Sequence, residues 1–284
     1  MIPIRIIRRR IRSIRSTAKI TRAMEMIAAS KMRQAQLRVL AGRPYADKMG
    51  EVVAHLAAQV PSGEEVHPLL QTREIKSVAI VHISGDRGLC GGLNANINRL
   101  ASSFILEQHI PVSLVTVGRR GRDFMAKHGQ KIIAESIQLG DKPSLLDVLP
   151  ISRVVIDDYT NKTFDQVYLA YTKFITTVNQ QPVLRQILPI QPVKAENIKN
   201  IEYIYEPSAA AVLNNLLPRY VEMQVYHSIL ESIASEQSAR MVAMRNATDA
   251  ANDMIEALTL TLNKARQELI TKELLDIAGG VVQD

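Results

Sequence analysis

The glycine-rich segment SGDRGLCGGLN, residues 84–94, holds the residue types best suited to chemistry. It follows an apolar run and precedes an amphipathic one, where the backbone N–H groups of a turn can cradle a phosphate. It lacks the GK[ST] of a Walker A loop and does not meet GxGxxG. The expected role is therefore a tight strand-to-helix turn, not a nucleotide site. Cys90 is the single cysteine of the chain. Nothing near it in sequence supplies a general base, so a small buried thiol is expected rather than a nucleophile. One cysteine also excludes an intrachain disulfide framework and a cysteine-rich metal site, and it suits a reducing compartment. The histidines His55, His67, His82, His109, His128 and His227 show neither HxxxH nor HExxH spacing, so no metal centre is expected. Asp157-Asp158 could pair for acid–base work, but its place at a helix end before a Tyr-Thr-Asn-Lys turn makes it a solvated terminus. No catalytic, cofactor-binding or metal-binding residue is expected, and no cofactor.

The basic run RRRIRSIR, residues 8–15, could be a DNA-contacting helix like that of a basic zipper protein. There the basic region precedes the heptads; here basic residues and heptads share the same turns. The charge distribution also provides an internal partner. Residues 1–43 hold twelve basic residues and one acid, Glu25, whereas residues 207–284 hold six basic and ten acidic ones. The middle of the chain is balanced, so the net charge of +7 belongs to the N-terminal segment. Nucleic acid is not an expected partner. Aromatics at 4% and the absence of Trp also argue against base-stacking platforms.

These residues must be positioned by long helices around a compact middle. The chain has 284 residues, 46% hydrophobic and 22% charged, a globular composition. Ile4, Ile7, Ile11, Ile14, Ala18 and Thr21, then Ala28, Met32, Ala35 and Val39, follow one a/d seam. Gly42 and Pro44 mark a possible kink, and the break is expected at Pro61-Ser62-Gly63. A helix over about 4–58 would be roughly 80 Å long. From Leu216 and Tyr220 through Leu262, Ala265 and Leu269 the seven-residue spacing returns. Ser208 is the expected N-cap and Gly279-Gly280 the expected stop. Between these helices, 77–84, 111–118 and 166–174 read as buried strands, and 94–108, 119–128 and 144–160 as helices. That alternation implies a parallel or mixed sheet, with 181–190 as an edge strand. The fold class is thus α/β, with a Rossmann-like central domain and an antiparallel coiled coil of the terminal helices. The expected division is 1–58 N-terminal coiled-coil helix, 59–76 linker, 77–206 α/β domain and 207–284 C-terminal coiled-coil helix. With the domain's ends adjacent, residue 58 would lie beside 208 and residue 2 beside about 264. Residues beyond about 265 would then have no intrachain partner. No run approaches the roughly 18 apolar residues of a membrane span.

RRRIRSIRSTAKITRAMEMIAASKMRQAQ (8–36), GDRGLCGGLN (85–94) and SEQSARMVAMRNATDAANDMIEALTLTLNKARQELITKELLDIAGG (235–280) resemble the gamma subunits of F-type ATP synthases, in order and over essentially the whole chain. The resemblance implies a non-catalytic rotor subunit. Its coiled coil would lie within a ring of alternating alpha and beta subunits, and its α/β domain would meet the epsilon subunit and the membrane c-ring. Proton flow would turn the c-ring, and the shaft would drive the catalytic beta subunits through their nucleotide-affinity states during ATP synthesis. The protein would be peripheral to a bacterial inner or plasma membrane, on the cytoplasmic side. Position by position, Met24, Arg240 and Gln267 match the family's coupling region, and Arg266, Thr271 and Glu273 match polar positions at the upper collar. Arg8, Arg9 and Arg12 suit acidic loops that the family's beta subunits offer. The chain departs from the family in ending GGVVQD and in having no acid before Glu25. It also lacks the cysteine-bearing insertion of chloroplast gammas, which implies no thiol control.

Overall fold

The computed structural model describes residues 3–59, 67–191, 206 and 208–280. The expected break at 61–63 and the last four residues lie outside them. Helix α1 spans Ile4–Gln59 and helix α5 spans Ala209–Gly280. Between them come strands β1 (Val78–Ile83), β2 (Val112–Val117), β3 (Ile132–Ser136), β4 (Gln166–Phe174) and β5 (Gln180–Leu188), with helices α2 (Leu93–Glu107), α3 (Arg119–Lys127) and α4 (Leu145–Thr160). Ser208 caps α5 as expected, its Oγ accepting from the Ala211 N–H at 3.2 Å. Pro44 lies inside α1, so the expected kink does not end the helix.

The strands form one sheet in the order β3-β2-β1-β4-β5. Every neighbouring pair is parallel except β4 with β5, so the sheet is mixed and β5 is its antiparallel edge. The chain steps outward from β1 to β3, then α4 returns it to the far side of β1. Period-two alternation of side chains divides the strand residues between two cores. Val78 and Ile80 of β1 pack with α2 and α3 through Ile97, Ala101 and Met125. Ala79, Val81 and Ile83 face the other way, with Val148, Ile151 and Val155 of α4, Leu217, Val221 and Val225 of α5, and Val53 and Leu56 of α1. The sequence pattern does not announce β3. Its five residues are mostly half-buried on an edge, which leaves them a weak apolar signature.

Two compact units divide the chain, one of residues 1–28 with 240–284 and one of residues 29–239. Both bring α1 and α5 side by side. In the first, Thr21 Oγ1 lies 2.7 Å from Thr248 Oγ1, and Arg245 Nε donates to Glu25 Oε1 at 2.9 Å. In the second, a Cβ on Gly42 would lie 2.7 Å from His227 Nε2. Antiparallel pairing is therefore as expected, but its register is not. Equal rise from 58 opposite 208 puts residue 21 opposite 245, whereas 248 is found there, about one helical turn further on. The helix ends need not be level because a folded domain joins them; side-chain fit along the seam sets the offset.

Candidate functional site

In the unit of residues 29–239, the 84–94 segment is a turn stitched by its own side chains. Asn94 Oδ1 accepts from the Gly85 N–H, and the Asn94 amide donates to the Arg87 carbonyl at 3.1 Å and to Cys90 Sγ at 3.3 Å. Cys90 is buried, as expected of a structural thiol. Asp86 accepts from the backbone N–H groups of Arg119 and Gln138, tying the turn to α3 and to the segment after β3. Leu89 holds its exposed side chain on a positive-φ backbone at 64°. A Cβ on Gly85 would lie 2.9 Å from the Glu236 carboxyl carbon. The carboxylate of α5 thus covers the backbone that a phosphate would approach, and two anions would repel there. This geometry suits a structural turn and opposes a nucleotide site.

His82 projects from β1 towards α2. It is wholly buried, with Nε2 2.8 Å from Asn98 Oδ1, and burial lowers its pKa to about 4. At neutral pH it is an uncharged core group whose Nε2–H donates to Asn98. Asp157 is exposed and Asp158 half-buried on the last turns of α4, as a solvated helix end would be.

In the unit of residues 1–28 and 240–284, α1 and α5 share a narrow buried seam. Ile7, Ile11, Ala18, Thr21 and Ala28 supply it from α1, and Arg240, Met244, Thr248 and Ala251 from α5. Met24 is half-buried beside the Glu25–Arg245 pair, while Arg240 is 8% exposed and lies five positions before Arg245. Arg8, Arg9 and Arg12 are exposed on α1, and Arg266, Gln267, Thr271 and Glu273 are exposed on α5. The structure therefore brings Met24 and Arg240 to neighbouring levels of one seam and leaves the other candidates on open helix faces. Sequence reasoning missed Arg245, although a basic residue facing the one acid of the basic helix is the signal that marks it.

The apolar residues after the seam meet no such cover. Leu269, Ile270, Leu274 and Leu275 are 44–66% exposed, on a helix whose preceding seam positions, Leu258 and Leu262, are half-buried. Contiguous exposed apolar side chains of this kind mark a surface received by another protein. No helix among the described residues is long and apolar enough to cross a membrane.

Comparison with known proteins agrees with this arrangement. The ATP synthase family model matches residues 3–282. The ATP synthase gamma chain of Dehalococcoides mccartyi strain CBDB1 is 64% identical over 99% of this chain and 98% of its own length. That of Chloroflexus aurantiacus strain J-10-fl is 50% identical over 96% of each. A chain of the central stalk and c-ring structure of the Tetrahymena thermophila mitochondrial ATP synthase superposes with a TM-score of 0.61 at 28% identity, covering 80% of this chain and 99% of that one. A chain of the Euglena gracilis mitochondrial enzyme, in its third rotational state, shares the fold with a TM-score of 0.70 at 18% identity, covering 98% of this chain and 93% of that one. With its two long helices, its five-stranded sheet and its bare apolar tip, the chain belongs to the ATP synthase gamma-chain family.

Proposed function

We propose that this chain is the central rotor shaft of a proton-translocating F-type ATP synthase and carries no catalytic group of its own. Residues 1–58 and 207–284 form the shaft within the alpha and beta ring. Residues 77–206 form the foot that meets epsilon and the c-ring, and residues 59–76 link the two. The complex holds the chain peripherally at the inner or plasma membrane, on the cytoplasmic side. Rotation couples to chemistry because each shaft angle stabilises a different beta conformation, and a ligand or contact shifts an equilibrium only by its differential affinity for the two states. The observation that carries this reading is the exposure of the four apolar side chains Leu269, Ile270, Leu274 and Leu275, which a surrounding protein would cover. Arg8, Arg9, Arg12, Met24, Arg240, Arg266, Gln267, Thr271 and Glu273 are the proposed contacts with that collar.

The test is assembly with alpha and beta subunits and the membrane sector, comparing the parent chain with Met24→Lys. The substitution places an ammonium next to Glu25, where it competes with Arg245. A misplaced charge of this kind shifts the rotary states relative to one another by roughly 1–3 kcal/mol. ATP hydrolysis should survive while proton pumping falls. Loss of both in step with loss of assembled complex would show that Met24 is merely structural.

A further inference from the structure

We propose that Asp141, in the loop between β3 and α4, is the clasp that holds both long helices in fixed register on the α/β fold and bears load between them. The inference rests on the rotor reading above. Asp141 Oδ2 accepts from Lys31 Nζ of α1 at 2.7 Å, and Asp141 Oδ1 accepts from Gln237 Nε2 of α5 at 2.8 Å. Its backbone carbonyl accepts from Arg38 Nη1 at 3.3 Å. Lys31 and Arg38 are seven positions apart, two turns along one face of α1. One residue of the α/β fold therefore holds α1 at two levels and α5 at a third point.

The loop that carries it is itself braced. The Gln138 N–H donates to Asp86 at 3.0 Å, the Tyr226 hydroxyl donates to the Pro143 carbonyl at 3.4 Å, and the Ser144 N–H and hydroxyl donate to Asp147 at 2.7 Å. Gly140 turns the chain at φ 75°, a conformation costly for other residues. Apolar packing around Val53, Leu217 and Val221 holds the same elements together, but the hydrophobic term itself is non-directional. Hydrogen bonds weaken steeply with angle and distance, so they add a directional resistance to a twist of the helices. Gln237 is 4% exposed, so its amide depends on a partner inside the protein. The Lys31–Asp141 pair is itself partly solvated, with side chains 36% and 39% exposed, so its loss should leave the fold intact.

The experiment uses the assembled complex with its head immobilised and a bead on the α/β domain. The readouts are the angular spread of the bead during catalytic pauses and the rate of ATP hydrolysis. Asp141→Ala should broaden the spread while hydrolysis stays at the parent rate. Lys31→Met combined with Gln237→Met should broaden it likewise with the loop untouched, which covers a failure of Asp141→Ala to assemble. A parent-like spread in both loss-of-contact variants would overturn the clasp alone. A parent complex that assembles but does not rotate would overturn the rotor reading and the clasp with it.

Discussion

His82 is a base held where its charged form is unwelcome. Its ring is wholly buried, Nδ1 has no hydrogen-bond partner among the described residues, and burial lowers its pKa to about 4 from the ordinary 6.5. Between those values the unfolded chain binds a proton that the folded chain refuses, so folding stability rises with pH across that window. Acidification from pH 6.5 to 4 should therefore cost up to roughly 3 kcal/mol from this residue alone. His82→Gln retains an amide donor for Asn98 and removes the titrating group. Denaturant melts of the assembled complex's gamma chain at pH 7 and pH 5 should differ less in that variant than in the parent. An equal difference in the two would assign the acid sensitivity to other groups. Gly118 has a single permitted identity. Its φ is 91°, and a Cβ there would lie 2.1 Å from the Ser84 carbonyl oxygen. Gly118→Ala must displace backbone where β1 and β2 end, and it should destabilise by about 3 kcal/mol or more, read as a lowered melting midpoint.

At the scale of elements, the seam between α1 and α5 is fixed by a few polar and small residues within an apolar stripe. The hydroxyls of Thr21 and Thr248 lie 2.7 Å apart, and each also lies within reach of a carbonyl of its own helix, that of Ala18 and that of Met244. Two hydroxyls carry only two protons for these three contacts, so a bond across the seam takes the proton of one hydroxyl away from its own helix carbonyl. A cycle of Thr21→Val, Thr248→Val and the double variant should return a coupling of about 0.5–1 kcal/mol in thermal unfolding. Zero coupling would mean that each hydroxyl is satisfied by its own helix. The heptads made both helices legible, and the change to apolar runs of strand length made the sheet legible, because burial on one stripe or on both faces leaves a period in the sequence. The edge position of β5 was legible from its prolines. Register was not, because it depends on which side chains meet: Gly42 reads as a helix breaker, yet its place opposite the His227 ring shows that it makes room for close approach. Asp141 was illegible for the same reason. It lies about a hundred positions from both Lys31 and Gln237, and only the folded sheet brings the three together. The family resemblance named Met24 and Arg240 but not Arg245, whose role depends on which residue faces Glu25.

At the scale of the whole molecule, the charge segregation and the bare tip point the same way. The basic segment 1–43 and the acidic segment 207–284 attract one another along an antiparallel pair, while the apolar end of α5 is left for a partner. The observed register sharpens where that partner begins. With Thr21 opposite Thr248, the first residues of α1 reach the level of about residue 266, so the unpaired stretch starts a turn or less before Leu269. Removal of 269–284 should therefore leave the helix pair intact, because Leu258, Leu262 and Ala265, which are half-buried, all remain. It deletes Leu269, Ile270, Leu274 and Leu275, each at least 44% exposed. Full burial of such a side chain is worth roughly 1.5–3 kcal/mol, and about half of that remains available to a collar here. Four of them together should weaken binding to alpha and beta measurably. Removal of 281–284 alone takes none of these residues and should leave assembly and hydrolysis nearly unchanged. Circular dichroism melting of each truncated chain, read beside its co-purification with alpha and beta, separates the two effects. An unchanged melt with weakened assembly in the longer deletion is the expected result. A collapsed melt with assembly preserved would mean that the tip folds back on its own chain, and that the register drawn from Thr21, Glu25, Arg245 and Thr248 does not extend to the helix end.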